Sequence, residues 1–132
     1  MLSVTESKNI KSELIPKIAS GFCGGIARKG GICGAVSGAV MAISIFYRRG
    51  LPDEPIDKSY VPVKKIIEIF ENKFGSTNCR ELTGCDLGIE EGRKRYFAAN
   101  MLERCRGCTG EATRLATSII EEEPQTEVAT NA

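Results

Sequence analysis

Apolar residues recur along this chain at three- and four-residue spacing, and no alternating run is long enough for a strand, so the pattern predicts helices throughout. Residues 1–12 are polar and read as a flexible, loosely held lead. Ile15, Ile18, Ala19 and Phe22 share one face of a helix expected over 13–22, with Pro16 near its start. Residues 33–49 are apolar nearly all round, which predicts a central buried helix. Gly50 is placed to end it. Within that helix Ala35, Gly38, Ala39 and Ala42 form a stripe of small residues, which lets a neighbouring helix approach closely.

Pro52, Pro55 and Pro62 stand among Asp53, Glu54 and Asp57, so 51–62 reads as a surface loop. From Val63 the helical period returns, with Val63, Ile66, Ile67, Phe70 and Phe74 on one stripe and Gly75 at its end. Asn78 with Glu81 three residues on resembles a capping box that opens a short helix, closed by Gly84. A helix over 90–105 puts Ala98, Met101, Leu102 and Cys105 on one face. Another over 109–122 does the same for Ala112, Leu115, Ala116, Ile119 and Ile120. Residues 123–132 are polar and expected to be a disordered tail. The expected fold is all-α: a compact bundle of about five helices around the Gly/Ala-rich one, forming a single domain over 13–122.

Charge narrows the function. Lys+Arg is 18 and Asp+Glu 17, and a net charge of +1 supplies no field that would recruit nucleic acid or an anionic membrane. Arg93-Lys94-Arg95 adjoins Glu90 and Glu91 and reads as a solvated helix face. The apolar stretch 32–47 is too short to cross a bilayer. The first eleven residues hold Glu6 and Lys8 and no apolar run, unlike a secretory leader, so a cytoplasmic location is expected. The glycines of 24–31 lack the order of a phosphate-binding loop, and no strand precedes them. They suit tight turning and close backbone approach.

The rare residues say most. With no His, a His-containing triad, a His-ligated zinc and a His-ligated haem are excluded; the reactive capacity lies in six cysteines. Without an export signal, such cysteines read as metal ligands or redox thiols before structural disulfides. Cys33, Cys79 and Cys108 each fall at the start of an expected helix, where partial positive charge and free N–H groups lower a thiol pKa. Cys105 lies on an apolar helix face and reads as a core thiol, although Cys105-Arg106-Gly107-Cys108 also forms a C-x-x-C. Cys23, beside two glycines, is open between packing and function.

Three blocks carry a resemblance: Gly21-Phe22-Cys23-Gly24-Gly25, Cys33-Gly34-Ala35-Val36-Ser37-Gly38-Ala39, and Phe74 through Leu87 with Asn78-Cys79-Arg80-Glu81 and Gly84-Cys85 inside it. Together with Cys108 they resemble the redox-active family named for its C_GCAxxG_C_C cysteine pattern, over roughly residues 15–120. The resemblance implies that Cys33, Cys79 and Cys108 are family cysteines and that Cys85 is a frequent companion. The family is also similar to the helical domain of split-Soret cytochromes, where an iron–sulfur centre has been suggested. One departure stands: no cysteine precedes Cys23, so the family's upstream cysteine lies outside this chain or is replaced by Cys23, Cys85 or Cys105.

The favoured expectation is therefore redox chemistry at Cys33, Cys79 and Cys108. With Cys85 these would ligate an iron–sulfur cluster, or zinc as the alternative, with backbone groups at Gly24, Gly25 and Gly34 facing the cofactor. Such a protein passes electrons to, or senses redox state for, a partner protein. A thiol–disulfide oxidoreductase using Cys105 with Cys108, or Cys33 with Cys79, is the second reading. A helical interaction module, with the small-residue stripe as a homodimer surface, is the third.

Overall fold

The computed structural model describes residues 1–47 and 51–122. Seven α-helices form among them: α1 Leu2–Ser7, α2 Leu14–Ala19, α3 Gly34–Phe46, α4 Asp57–Phe74, α5 Cys79–Thr83, α6 Glu90–Ala98 and α7 Met101–Glu122. A single 3-10 turn, Ser20–Phe22, follows α2. The fold is all-α, as the periodicity requires, with more and shorter helices than the five expected.

The frame is a triad. α3 packs on α7 and on α4, and α4 also packs on α7. Between them Ala39, Ala42, Ile43, Ile66, Phe70, Leu115, Ala116 and Ile120 are buried. The small-residue stripe works inside the monomer: Ala42 is sealed in this core, and a Cβ at Gly38 would lie 3.2 Å from the Met1 nitrogen. Tyr47 donates from its hydroxyl to the Ile119 carbonyl at 2.7 Å, pinning the end of α3 to α7. On the outer side Glu111 of α7 pairs with Lys73 of α4 at 3.1 Å and with Arg114 at 2.6 Å. Its hydrogen bond with Arg114 leads in holding the carboxyl down at about 2, with Lys73 assisting.

Several expectations are corrected. The lead over 1–12 is not loose throughout, because α1 forms and buries Val4 in the core beside α3 and α7. The Thr5 hydroxyl, also buried, donates to the Leu2 carbonyl at 2.9 Å, so its polarity is satisfied. In α2 only Ile15 is buried; Ile18 is exposed, so the expected apolar face is half used. The loop expected over 51–62 gives way to helix at Asp57. α4 then carries Pro62 inside it, on the buried stripe with Ile66 and Phe70. The ring removes the hydrogen bond to the Lys58 carbonyl, a loss on the order of 3 kcal/mol that burial of this face has to offset.

Gly75 and Gly84 do end their helices, at φ +85° and +65°. The division expected between 105 and 109 lies instead at Ala99-Asn100, where Asn100 takes φ +53°. Asn tolerates that left-handed conformation better than most residues. The expected ending at Gly50 and the tail 123–132 lie outside the described residues. Among the described residues no helix is long and apolar enough to cross a membrane.

Gly107 and Gly110 stand within α7 with nothing within 4 Å of an added Cβ. Replacing either by Ala is expected to raise the urea midpoint, by about 1 kcal/mol of stability, through helix propensity alone. An unchanged or lowered midpoint would show that these glycines serve something other than the helix.

Candidate functional site

Two distant stretches meet in one short bridge. Ile32 pairs antiparallel with Asn78. The Cys33 amide donates to the Thr77 carbonyl at 2.8 Å, and the Cys79 amide to the Gly31 carbonyl at 2.7 Å. Successive residues of an extended chain face opposite ways, so Cys33 and Cys79, each following a bridged residue, project to the same side. Both line one cleft.

Local structure on each side fixes that pairing. Cys33 is the N-cap of α3. Asn78 caps α5, accepting from the amides of Arg80 at 3.1 Å and Glu81 at 3.4 Å. The expected capping box closes differently. Ser76 accepts the Asn78 amide at 2.9 Å and donates its own proton to the Glu81 carboxylate, relaying the contact. Behind the bridge the chain turns the wrong way round: Gly24, Gly25, Ile26, Ala27 and Arg28 hold φ of +68°, +68°, +63°, +49° and +64°. These five form a left-handed turn. The amides of Ile26, Ala27 and Arg28 return to carbonyls of Phe22, Gly21 and Cys23, and those of Gly30 and Gly31 to Gly24 and Gly25. Left-handed backbone costs roughly 1–2 kcal/mol for each residue with a Cβ. Three such residues together persist only where the surroundings over-determine them.

The glycines explain how. A Cβ on Gly25 would lie 2.5 Å from the Gly31 carbonyl oxygen and 2.7 Å from the Cys79 Cβ. One on Gly34 would lie 3.0 Å from the Phe22 oxygen. Gly25 and Gly34 are thus places of close backbone approach, while Gly24 and Gly34 line the cleft itself.

The cleft has a volume of about 440 Å³. Cys23, Cys33, Cys79 and Cys105 line it, Cys23 exposed and Cys79 buried. Cys108 sits just behind, in the core. Cys33, Cys105 and Cys108 all act electrostatically on Cys79, so four thiols from α3, α5 and α7 share one field. Cys85 is buried, and its charge acts on Tyr96. Tyr96 of α6 is the member the periodicity missed. It lines the cleft, with its hydroxyl beside the Cys105 thiol. Gly92 seats it: a Cβ there would fall 1.7 Å from the Asp86 carbonyl oxygen, so α6 lies directly against the chain after Cys85.

At Cys79 and Cys108 thiol ionisation runs against expectation. Burial, then the charges of Cys33, Cys105 and Cys108, push the Cys79 thiol up to about 11. The five-residue α5 is too short a dipole to reverse that. Cys108 is also raised, by burial and then by Cys33 and Cys105, with Arg104 opposing. Cys108 is not at a helix start at all; it lies inside α7, as does the whole C-x-x-C. Burial likewise raises the Tyr96 hydroxyl, and its bond to Cys105 adds to the effect. Among the described residues no three Cys, Asp or Glu side chains stand at the spacing that holds a metal ion.

The family model described as "Putative redox-active protein (C_GCAxxG_C_C)" matches residues 1–119. An uncharacterized protein of Archaeoglobus fulgidus is 33% identical over 105 residues, covering 70% of this chain and 69% of its own. No solved structure matches the chain.

The raised Cys79 thiol sets a pH window. An unfolded thiol ionises near pH 8.5. The folded one stays protonated to about 11. Stability is then whole below pH 8.5 and falls as pH rises toward 11, by at most ~1.4 kcal/mol per pH unit from this group. Urea midpoints under reducing, anaerobic conditions are expected to decline more steeply over that range in the parent than in Cys79→Ala. Equal slopes would place the titration elsewhere.

The left-handed turn makes a second forecast. Ala27→Gly, at an exposed site, is expected to stabilise by about 0.5–1 kcal/mol. Gly25→Ala is expected to destabilise by about 2 kcal/mol or more, since backbone lies where its Cβ would go. Thermal melts of the two variants check both signs.

Proposed function

The chain belongs to the C_GCAxxG_C_C family, and we propose that within it the converging thiols hold an iron–sulfur cluster that exchanges or senses single electrons for a partner protein. One observation carries this reading: Cys33, Cys79 and Cys105, from three separate stretches of chain, line one cleft with Cys108 in the core behind them, and the other three act together to raise the Cys79 thiol. Four thiolates, three lining the cleft and Cys108 behind it, with no Lys or Arg side chain in the lining, are unfavourable unless something cationic lies among them. Thiolate-only donors suit an iron–sulfur cluster. A structural zinc, which four thiolates also suit, is the alternative.

When bound, the cluster would supply one-electron chemistry. The chain's own residues do the rest. The bridge orients Cys33 and Cys79, and α7 presents Cys105 and Cys108 three residues apart on one face. The Tyr96 hydroxyl lies beside Cys105, and a hydrogen bond from it to a ligand sulfur would be one lever on reduction potential. In this reading Cys105 replaces Cys85 as the fourth ligand, because Cys105 acts on Cys79 and Cys108, and Cys85 acts on neither. The raised Cys79 and Cys108 thiols weigh against simple thiol–disulfide exchange through either of them, since the thiolate is the attacking species.

Protein purified without oxygen is expected to be coloured and to contain iron and acid-labile sulfide. Ser at Cys33, Cys79, Cys105 or Cys108 should each remove most of the iron, while Cys85→Ser keeps it. A colourless, iron-free, fully helical protein overturns the reading. If it also forms a disulfide between two cleft cysteines, the exchange reading takes its place.

A further inference from the structure

The cleft is larger than its thiols need. On α3 its lining runs from Cys33 to Met41 and on α7 from Cys105 to Thr113, eight residues along each helix and so about 12 Å of depth. The cysteines occupy one end. The rest is walled by Val4, Phe22, Ala35, Ala39 and Met41. No Asp, Glu, Lys or Arg side chain lines it; the Met1 α-amino group does, against Gly38, and burial holds its proton affinity down. The two threonines on its α7 wall donate their hydroxyl protons to their own helix, Thr109 to the Cys105 carbonyl and Thr113 to the Thr109 carbonyl, each at 2.9 Å. The Tyr96 hydroxyl sits at the cysteine end, beside Cys105.

A wall of this kind rejects charged ligands. A cation entering it meets no carboxylate, and an anion meets only the Met1 α-amino group, whose charged form burial already disfavours, so the desolvation of either charge is poorly offset. An apolar body gains by the area it buries, and the volume is that of a small-molecule site.

We propose that this cleft binds an uncharged, largely apolar small molecule, about two fused rings in size, with one end against the thiol cluster. The inference deepens the redox reading by naming the class of small molecule that the thiols face. It rests on that reading for its purpose but not for the binding itself.

The test uses metal-free, reduced full-length protein and a redox-inert probe, so iron content plays no part in it. 2-Naphthol, neutral at pH 7, is titrated against the protein while the methyl resonances of Ala35, Ala39, Met41 and Thr113 are followed. 2-Naphthoate is the anionic twin of similar size. Naphthol is expected to shift these methyls saturably, and naphthoate to bind at least tenfold more weakly. Ala35→Phe, at a half-exposed wall position, is expected to weaken naphthol at least tenfold. Thr113→Leu, on the opposite wall, serves the same purpose should the first variant fold poorly. Equal binding of the two probes, shifts confined to other residues, or no saturable shift each overturns the proposal. Iron-free protein that still binds naphthol leaves this inference standing while the cluster reading falls; iron-loaded protein whose metal-free form ignores naphthol does the reverse.

Discussion

Two backbone hydrogen bonds hold the site together. Between them, Cys33 to Thr77 and Cys79 to Gly31 splice the start of α3 to the start of α5. Everything chemical in the molecule is arranged around that splice. The left-handed turn behind it, the glycine contact against Cys79 and the Ser76–Asn78–Glu81 relay in front of it all constrain the same few atoms. The triad of α3, α4 and α7 supplies rigidity, and α7 brings in the other two thiols. Backbone strain that would be a liability elsewhere is tolerated here because it sets where two sulfur atoms point.

Magnitudes decide the protonation state. A helix N-terminus favours a negative charge by about 0.3–1 kcal/mol. Displacing a thiol from its ordinary value of 9.0 to about 11 corresponds to roughly 3 kcal/mol in the other direction. Burial and mutual repulsion therefore outweigh the dipole at Cys79, and Cys108 has no helix start to help it. Cys79 and Cys108 keep their protons so long as nothing cationic enters. A metal centre would displace those protons, which makes its affinity depend on pH.

Much of this could be read along the chain, and the gaps have identifiable causes. The long stripes at 63–74 and 112–120 were legible because each is an uninterrupted apolar face on a helix. Gly75, Gly84 and Asn78 do what their chemistry allows nowhere else so well. α1 was hidden by its polar neighbours, since a single buried turn around Val4 leaves almost no period. Pro62 concealed the first part of α4, because tertiary burial overrides a local penalty that residue preferences treat as decisive. Asn100, not the C-x-x-C, marks the division before α7, and asparagine signals a left-handed break only weakly. The site cysteines were legible as a set, but their neighbours were not. Cys105 looked like core, and Tyr96 and Gly92 sit in a charged segment whose inward face shows only once α6 is seated on the Asp86 carbonyl. The left-handed turn left no trace at Ile26, Ala27 and Arg28, which are ordinary residues in an extraordinary backbone.

The distribution of thiols along the chain has a consequence for biosynthesis. Cys33 and Cys79 leave the ribosome before Cys105 and Cys108, and the frame that gathers them lacks one of its three sides until α7 has emerged. During translation, at about 5–20 residues per second, the early thiols pass several seconds in water with no partner from α7. The assembled set of thiols therefore exists only in the finished fold, and the nascent chain in that interval is the form most open to oxidants.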